Sequence, residues 1–332
     1  MTRLPPLYGD ARRWALAQAD ALDLLQKLPA ASVDAVVTDP PYGIDFNRQT
    51  WDGRNIRNAV GGSSRGAGAF QTWTTLWASE CLRILRPGGY LVAFGATRTA
   101  HRLTAGIEDA GFEVRDQLAW LYGSGVPKTG LRNGRSGTLK PGYEPIVLAR
   151  KPPAPGDELP DGLLAIDAAR SEGGRWPANV LLGHDRRCTR RSCARACPVG
   201  ELDRQHPTRR PSRFYYCAKP ARREREHGLG ELEAQTANIF GGRPTRPRRN
   251  VHPTVKPVEL MRWLIRLAAP DGAVVLDPFA GSGTTGLAAL AEHRQFVGIE
   301  QDETYTRIAV ERLRDAATPS EQGADGARAS AA

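Results

Sequence analysis

A chain of 332 residues with 40% apolar and 25% charged residues is long enough for one large or two ordinary domains, and its balance is globular rather than disordered or fibrous. No apolar run reaches the roughly 18 residues of a membrane span, and the amino terminus lacks a signal-peptide core, so a cytoplasmic protein without membrane contact is expected; five cysteines, an odd number, argue against a disulfide framework. The net charge of +10 is concentrated: residues 171–250 hold 17 Arg and one Lys against eight acidic residues, an excess equal to that of the whole chain. Confinement to one segment suggests a phosphate-binding surface, and Arg in place of Lys suits forked contacts, although a GC-rich coding bias gives the same skew.

After a loose lead-in with Pro5, Pro6 and Gly9, Asp20 precedes Leu22, Leu25 and Leu28, spaced for a short helix that Pro29 stops. Val33–Val37 reads as a buried strand ended by Thr38-Asp39-Pro40-Pro41-Tyr42-Gly43. Open α/β sheets put their chemistry at such strand ends. Asp39 offers acceptor oxygens, while Pro40 and Pro41 have no N–H and hold the backbone extended. Such acceptors can take both N–H bonds of a nucleobase amino group and leave its lone pair free, and Tyr42 offers a face on which an extruded base could stack. The alternative is a plain turn after a strand.

Residues 43–70, polar and glycine-rich, read as a mobile loop beside that site or as an idle insertion. Trp73, Leu76, Trp77, Cys81, Ile84 and Leu85 have helical spacing and belong to a core-facing helix. A strand at 90–94, a helix at 99–110 and a strand at 112–122 follow. A basic loop at 123–142 then leads to Glu144–Ala149, read as an antiparallel edge strand. Alternation of this kind means a mostly parallel sheet in an α/β protein. From Lys151 the texture changes to an irregular, basic module reaching Asn250, with apolar pieces only at 178–182 and 213–216. The α/β pattern resumes with a helix at 258–268, a strand at 273–276, a helix at 284–292, a strand at 295–299 and a helix at 303–314.

Val274–Gly286 is strand, glycine loop, helix: Asp277-Pro-Phe279-Ala280-Gly281-Ser282-Gly283-Thr284. Glycines permit a tight turn and close approach of a ligand, and the helix start offers unpaired N–H groups. Glu300 ends the next strand, 23 positions beyond Asp277, where an acid can hold a ribose diol.

With DPPYG first, a basic insert, then HPTVKP and DPFAGSGTT, the chain resembles the β class of S-adenosylmethionine-dependent amino-methyltransferases of DNA. The resemblance covers most of the chain outside residues 151–250. It implies a Rossmann-like methyltransferase fold with a twisted, mostly parallel sheet, a circularly permuted motif order and an inserted target-recognition module. Residues 14–150 would carry the catalytic half and 251–315 the cofactor half, with the insert at 151–250 and a disordered tail at 316–332.

For the cofactor, S-adenosyl-L-methionine, the resemblance implies that Phe279, Gly281, Ser282, Gly283 and Thr284 shape the methionine end, with Asp277 and Ala280 in the same stretch. It also places Glu300 on the ribose, Asp20 near the adenine, and Thr254 and Lys256 beside the carboxylate. By themselves Asp20 reads equally as a helix cap and Lys256 as a solvated lysine. Asp39, Pro40, Pro41 and Tyr42 match the acceptor-amine site. DPPY rather than SPPY leans to the N6 amino group of adenine, with N4 of cytosine as the alternative. The chain contains no Pro-Cys dipeptide for a covalent route to cytosine C5. Less favoured readings are a catalytically silent DNA-binding protein and an RNA or protein methyltransferase.

In the insert, Arg209–Tyr216 interleaves Arg with aromatics, suited to backbone contact plus stacking or to an ordinary strand. His184, Cys188, Cys193 and Cys197 offer four soft ligands within 14 residues, either a structural zinc site or reduced thiols in a loop; Cys217 or His206 could substitute as fourth ligand. Double-stranded DNA is the expected partner; the chain reads either as the modification half of a restriction system, with a cognate endonuclease as partner, or as a solitary phage or prophage enzyme, and a second copy of the chain is a further candidate partner. Raising salt should weaken DNA binding steeply, with a log–log slope near the number of phosphates contacted; a flat response in a titration at several salt concentrations would deny the insert that role.

Overall fold

Strands that bury both faces alternate their side chains between two cores, and helices cover each core. The computed structural model describes residues 7–10, 13–46, 49–61, 67–122, 135, 139, 141–153, 156, 163–170, 174, 176–183, 188, 192–195, 197–205, 220–236 and 247–318. Its strands are β1 (Leu7–Gly9), β2 (Trp14–Gln18), β3 (Val33–Thr38), β4 (Leu85–Phe94), β5 (Glu113–Tyr122), β6 (Tyr143–Arg150), β7 (Val180–Gly183), β8 (Val274–Asp277) and β9 (Gln295–Glu300). Its helices are α1 (Ala21–Leu25), α2 (Arg54–Ala59), α3 (Ala67–Ile84), α4 (Ala100–Asp109), α5 (Pro198–Gln205), α6 (Arg222–Glu226), α7 (Val258–Ala268), α8 (Thr284–Ala291) and α9 (Glu303–Ala317).

All the strands join one sheet in the order β1-β2-β9-β8-β3-β4-β6-β5-β7. The run β2-β9-β8-β3-β4 is parallel throughout. Ala35 and Val37 of β3, with Tyr90, Val92 and Phe94 of β4, face a core closed by α7 and the inner sides of α8 and α9. Val36, Leu91 and Ala93 face the opposite core, closed by α1, α3 and α4 through Leu25, Trp73, Trp77, Leu103 and Ile107. This doubly wound α/β arrangement is the Rossmann-like fold that the motif order implies.

Three expectations change. Residues 144–149 are antiparallel, but β6 lies inside the sheet between β4 and β5, because Pro145–Arg150 is buried on both faces and needs neighbours on both sides. The edge is β7, which pairs parallel with β5 and comes from the segment read as an irregular insert. Residues 43–70 are not simply a loop: they contain a 3-10 turn at Thr50–Asp52, α2 and the start of α3. Strand β2 was not legible because Trp14-Ala-Leu-Ala-Gln18 is short and alanine-rich, and only its pairing with β9 makes it a strand.

The ends of the insert are tied to the α/β segments by specific bonds. Ala165 N donates to Leu267 O at 2.9 Å, and the indole of Trp263 donates to Ala169 O at 3.0 Å. Helix α7 follows Pro257 without a side-chain cap of its own, and Glu224 of α6 accepts from Val258 N at 2.7 Å, supplying the missing acceptor. Arg225 donates to His252 O at 2.6 Å and Arg249 to Leu232 O at 2.9 Å, so part of the arginine excess fastens the insert rather than facing solvent. Among the described residues no helix is long and apolar enough to cross a membrane.

Candidate active site

Strands β3 and β8 are neighbours, yet the chain leaves β3 toward β4 on one side and leaves β8 toward β9 on the other. A crevice opens at such a switch point, and both sequence motifs sit at its mouth. They are bonded to each other. Thr38 Oγ1 donates to Asp277 Oδ1 at 2.6 Å, Thr285 Oγ1 to Oδ2 at 2.6 Å, and Phe279 N to Oδ1 at 3.0 Å. Burial raises the Asp277 carboxyl to about 6, against the pull of these donors. Asp277, expected among the cofactor ligands, acts as an internal brace: its carboxylate is buried and accepts three bonds from protein groups.

On the β8 side, Gly281 and Gly283 have φ of +54° and +78°, the left-handed backbone that glycine tolerates. Gly281 N donates to Glu300 Oε2 and Asp302 N to Glu300 Oε1, each at 2.8 Å. Each carboxylate oxygen keeps a lone pair for a hydroxyl. Burial lifts the Glu300 carboxyl to about 7, partly offset by the two N–H groups. Ser282 and Thr284 turn their hydroxyls toward Arg312 Nη1, which also donates to Ser282 O at 2.7 Å. Arg312 is buried in α9, and burial lowers its pKa to about 10, so it stays charged at neutral pH. Ala280 is buried with its N–H on Ile299 O at 2.9 Å. Phe279 packs on Trp73 and Trp77, ring centroids 5.4 and 5.7 Å apart.

Asp20 caps α1, accepting from Leu22 N at 2.9 Å and Asp23 N at 3.3 Å. The adjoining Ala19 N bonds Glu300 O at 3.0 Å, so the cap lies at the same rim as the ribose candidate. His252 was not singled out. A Cβ on Gly281 would come within 2.8 Å of His252 Nε2, and the buried Nδ1 has no hydrogen-bond partner among the described residues. Burial, then the charges of Arg225, Lys256 and Arg312, depress this imidazole to about 3, so it is neutral. A glycine loop with no room for side chains, an acid with spare lone pairs and an orphaned ring nitrogen fit a small nucleoside ligand with polar substituents.

On the β3 side the buried ammonium of Lys256 bonds Asp39 Oδ2, lies 3.3 Å from Glu144 Oε2 and donates to Tyr42 OH at 3.2 Å. Tyr42 OH lies 2.7 Å from Asp39 Oδ1 and donates there, and Tyr122 OH donates to Glu144 Oε1 at 3.1 Å. The Phe94 ring faces the ammonium 4.8 Å away. Burial raises Asp39, and Lys256 only partly offsets it. Burial pulls Lys256 down, but Asp39 and Glu144 outweigh it and its pKa is raised. The alternative of a solvated lysine does not hold: Lys256 is buried, with the carboxylates of Asp39 and Glu144 as its counter-charges. Thr254, half-buried, lies between His252 on the glycine loop and Lys256 on Asp39. Pro40 is buried and Pro41 half-buried beside Asp39.

The loop after Tyr42 is held by a residue with no sequence signal. Asp52 is fully buried and accepts from Tyr42 N at 2.6 Å, Gly43 N at 2.8 Å, Ile44 N at 3.2 Å and Phe46 N at 2.7 Å. Glu144 was read only as a strand residue and Tyr122 likewise; their role depends on β5 and β6 lying side by side. In the insert, Cys188, Cys193 and Cys197 come together with all three sulfurs within 4.8 Å of one another. His184, His206, Cys217 and the stretch Arg209–Tyr216 lie outside the described residues.

A DNA methylase family model, that of the N6 and N4 enzymes, matches residues 33–311. The chain belongs to that family. Its members are S-adenosylmethionine-dependent amino-methyltransferases of DNA, and the chain is one of them, with DNA as substrate. It is 28% identical over 338 residues to the Type II methyltransferase M.HindIII of Haemophilus influenzae, covering 89% of this chain and 93% of that protein. To the DNA adenine methyltransferase YhdJ of Escherichia coli it is 25% identical over 309 residues, 93% and 85% of the two chains. Among solved structures it resembles PvuII DNA methyltransferase (cytosine-N4-specific), with a TM-score of 0.59, 17% identity and coverage of 94% and 90%. That likeness concerns the fold.

Asp52→Ala should destabilise the methylase by about 3 kcal/mol in urea unfolding, since it strands buried N–H donors, whereas Asp52→Asn should cost less. A diol donates two bonds to an ionised Glu300 but only one to the protonated form. Binding of S-adenosylhomocysteine should therefore weaken about tenfold from pH 8 to pH 6 as the carboxyl protonates near 7. Calorimetry at several pH values checks this, and Glu300→Gln should flatten the profile.

Proposed function

We propose that this methylase transfers a methyl group to the N6 amino group of adenine flipped out of duplex DNA. The observation that carries the reading is the Thr38–Asp277 bond, which joins the strand end bearing Asp39 to the one bearing the glycine loop. Acceptor and donor sites then share one crevice. Gly281, Gly283 and Glu300 hold the cofactor, with His252 covering the loop. The bound cofactor supplies an activated methyl group on a sulfonium.

The chain's own residues orient the amine. Asp39 and the Pro40 carbonyl accept its two N–H bonds, directing the lone pair toward the cofactor side. Tyr42, its hydroxyl tied to Asp39, presents a fixed ring for stacking. Lys256 supplies the counter-charge to Asp39 and Glu144 in this buried site. Methylation leaves a surplus proton on the nitrogen. Asp39 Oδ1 is the neighbouring acceptor, and burial favours its protonated form. Asp39 in the DPPY motif and the relative named as an adenine methyltransferase support adenine over cytosine. The Type II relative supports a restriction endonuclease as partner.

Nucleoside mass spectrometry of duplex DNA incubated with the protein and methyl-labelled cofactor should yield N6-methyladenine. N4-methylcytosine would transfer the assignment to the other base. Asp39→Ala should retain S-adenosylhomocysteine binding while transfer falls at least about 10²-fold; undiminished transfer would overturn the role of Asp39.

A further inference from the structure

The insert contains a second cluster that methyl transfer does not use. Cys188, Cys193 and Cys197 converge with their sulfurs all within 4.8 Å of one another, and none is in a disulfide. Tetrahedral zinc holds thiolates about 2.3 Å from the metal, hence about 3.8 Å apart, so sub-ångström to roughly 1 Å adjustments complete such a face. A disulfide would need two sulfurs at about 2 Å and would leave the third thiol aside.

Two sulfurs are already engaged as acceptors. Ala194 N donates to Cys188 Sγ at 3.2 Å and Gly200 N to Cys197 Sγ at 3.4 Å. Backbone N–H groups stabilise thiolates, and Cys197 stands at the start of α5, where unpaired N–H groups collect. Gly200 leaves space for the cluster: a Cβ there would meet Cys193 Cβ at 2.8 Å and its sulfur at 3.3 Å. The apolar support is small, Leu182, Cys197 and Val199 being its buried members, with Val180 and Leu202 packed alongside. Three thiolates on a divalent cation carry one net negative charge, which suits an arginine-rich segment.

We propose that Cys188, Cys193 and Cys197 form a thiolate site for a structural zinc ion that braces the insert against the edge of the catalytic sheet. The link to the site is short. Leu182 of β7 packs in the cysteine cluster, β7 pairs with β5 through Tyr122 and Gly183, and Tyr122 bonds Glu144 in the acceptor network. Loss of the metal loosens the DNA-facing module and the acceptor side while leaving the glycine loop, on the far side of β3, able to bind cofactor.

Elemental analysis of untagged, reduced protein should find about one zinc per chain. Cobalt put in its place should show thiolate-to-metal charge-transfer absorption. Cys193→Ser should lower zinc content and DNA methylation together, with S-adenosylhomocysteine affinity unchanged. If a variant fails to fold, the wild-type protein decides by its alkylation pattern: with the metal bound the three thiols are protected, and a strong chelator exposes them together. Zinc below half an equivalent, chelator-insensitive alkylation, or a disulfide found by mass spectrometry of protein kept from reductant would each overturn the proposal.

Discussion

A buried hydrogen bond ties together the two strand ends that carry the sequence motifs of this enzyme. Thr38 and Asp277 are 239 residues apart in sequence, end adjacent parallel strands, and meet at 2.6 Å. The second carboxylate oxygen of Asp277 takes the hydroxyl of Thr285 at the first turn of α8, so one side chain sets the position of the acceptor loop relative to the glycine loop and its helix. An unpaired carboxylate there would be costly, which ties correct pairing of β3 and β8 to correct formation of both loops. The permuted motif order has no structural consequence once these strands are neighbours.

Charge compensation is the second constraint. The acceptor pocket buries two carboxylates, two phenols and one ammonium. Lys256 comes from late in the chain and Asp39 and Glu144 from its first 150 residues, so the pocket is balanced only when these distant segments meet. The segment carrying Lys256 also carries His252, which packs on Gly281. A five-residue stretch thereby touches both the glycine loop and Asp39, and its position depends on Arg225, Asn250 and Glu224 at the end of the insert.

The segment read as an insert is consequently part of the fold. It supplies β7 to the sheet, an acceptor for the start of α7 and a hydrogen-bonded support for His252. Several of its arginines act within the protein, so the local charge excess overstates the number of side chains presented to phosphates.

Residue type and local order were enough to read the strand ends at Asp39 and Asp277, the glycine loop, the acid at Glu300 and the α/β alternation, because each depends on a few consecutive residues and on backbone rules that hold in any context. The tertiary structure decided the partners. Asp277 looks like a neighbour of a ligand until strand order pairs it with Thr38; Lys256 looks like a surface lysine until Asp39 and Glu144 surround it. Glu144, Tyr122, Asp52 and Arg312 have no motif around them, and their roles arise from contacts between residues 6 to 112 positions apart. Sequence spacing carries the chemistry a chain can perform, whereas counter-charges and hydrogen-bond partners are set by which strands lie side by side.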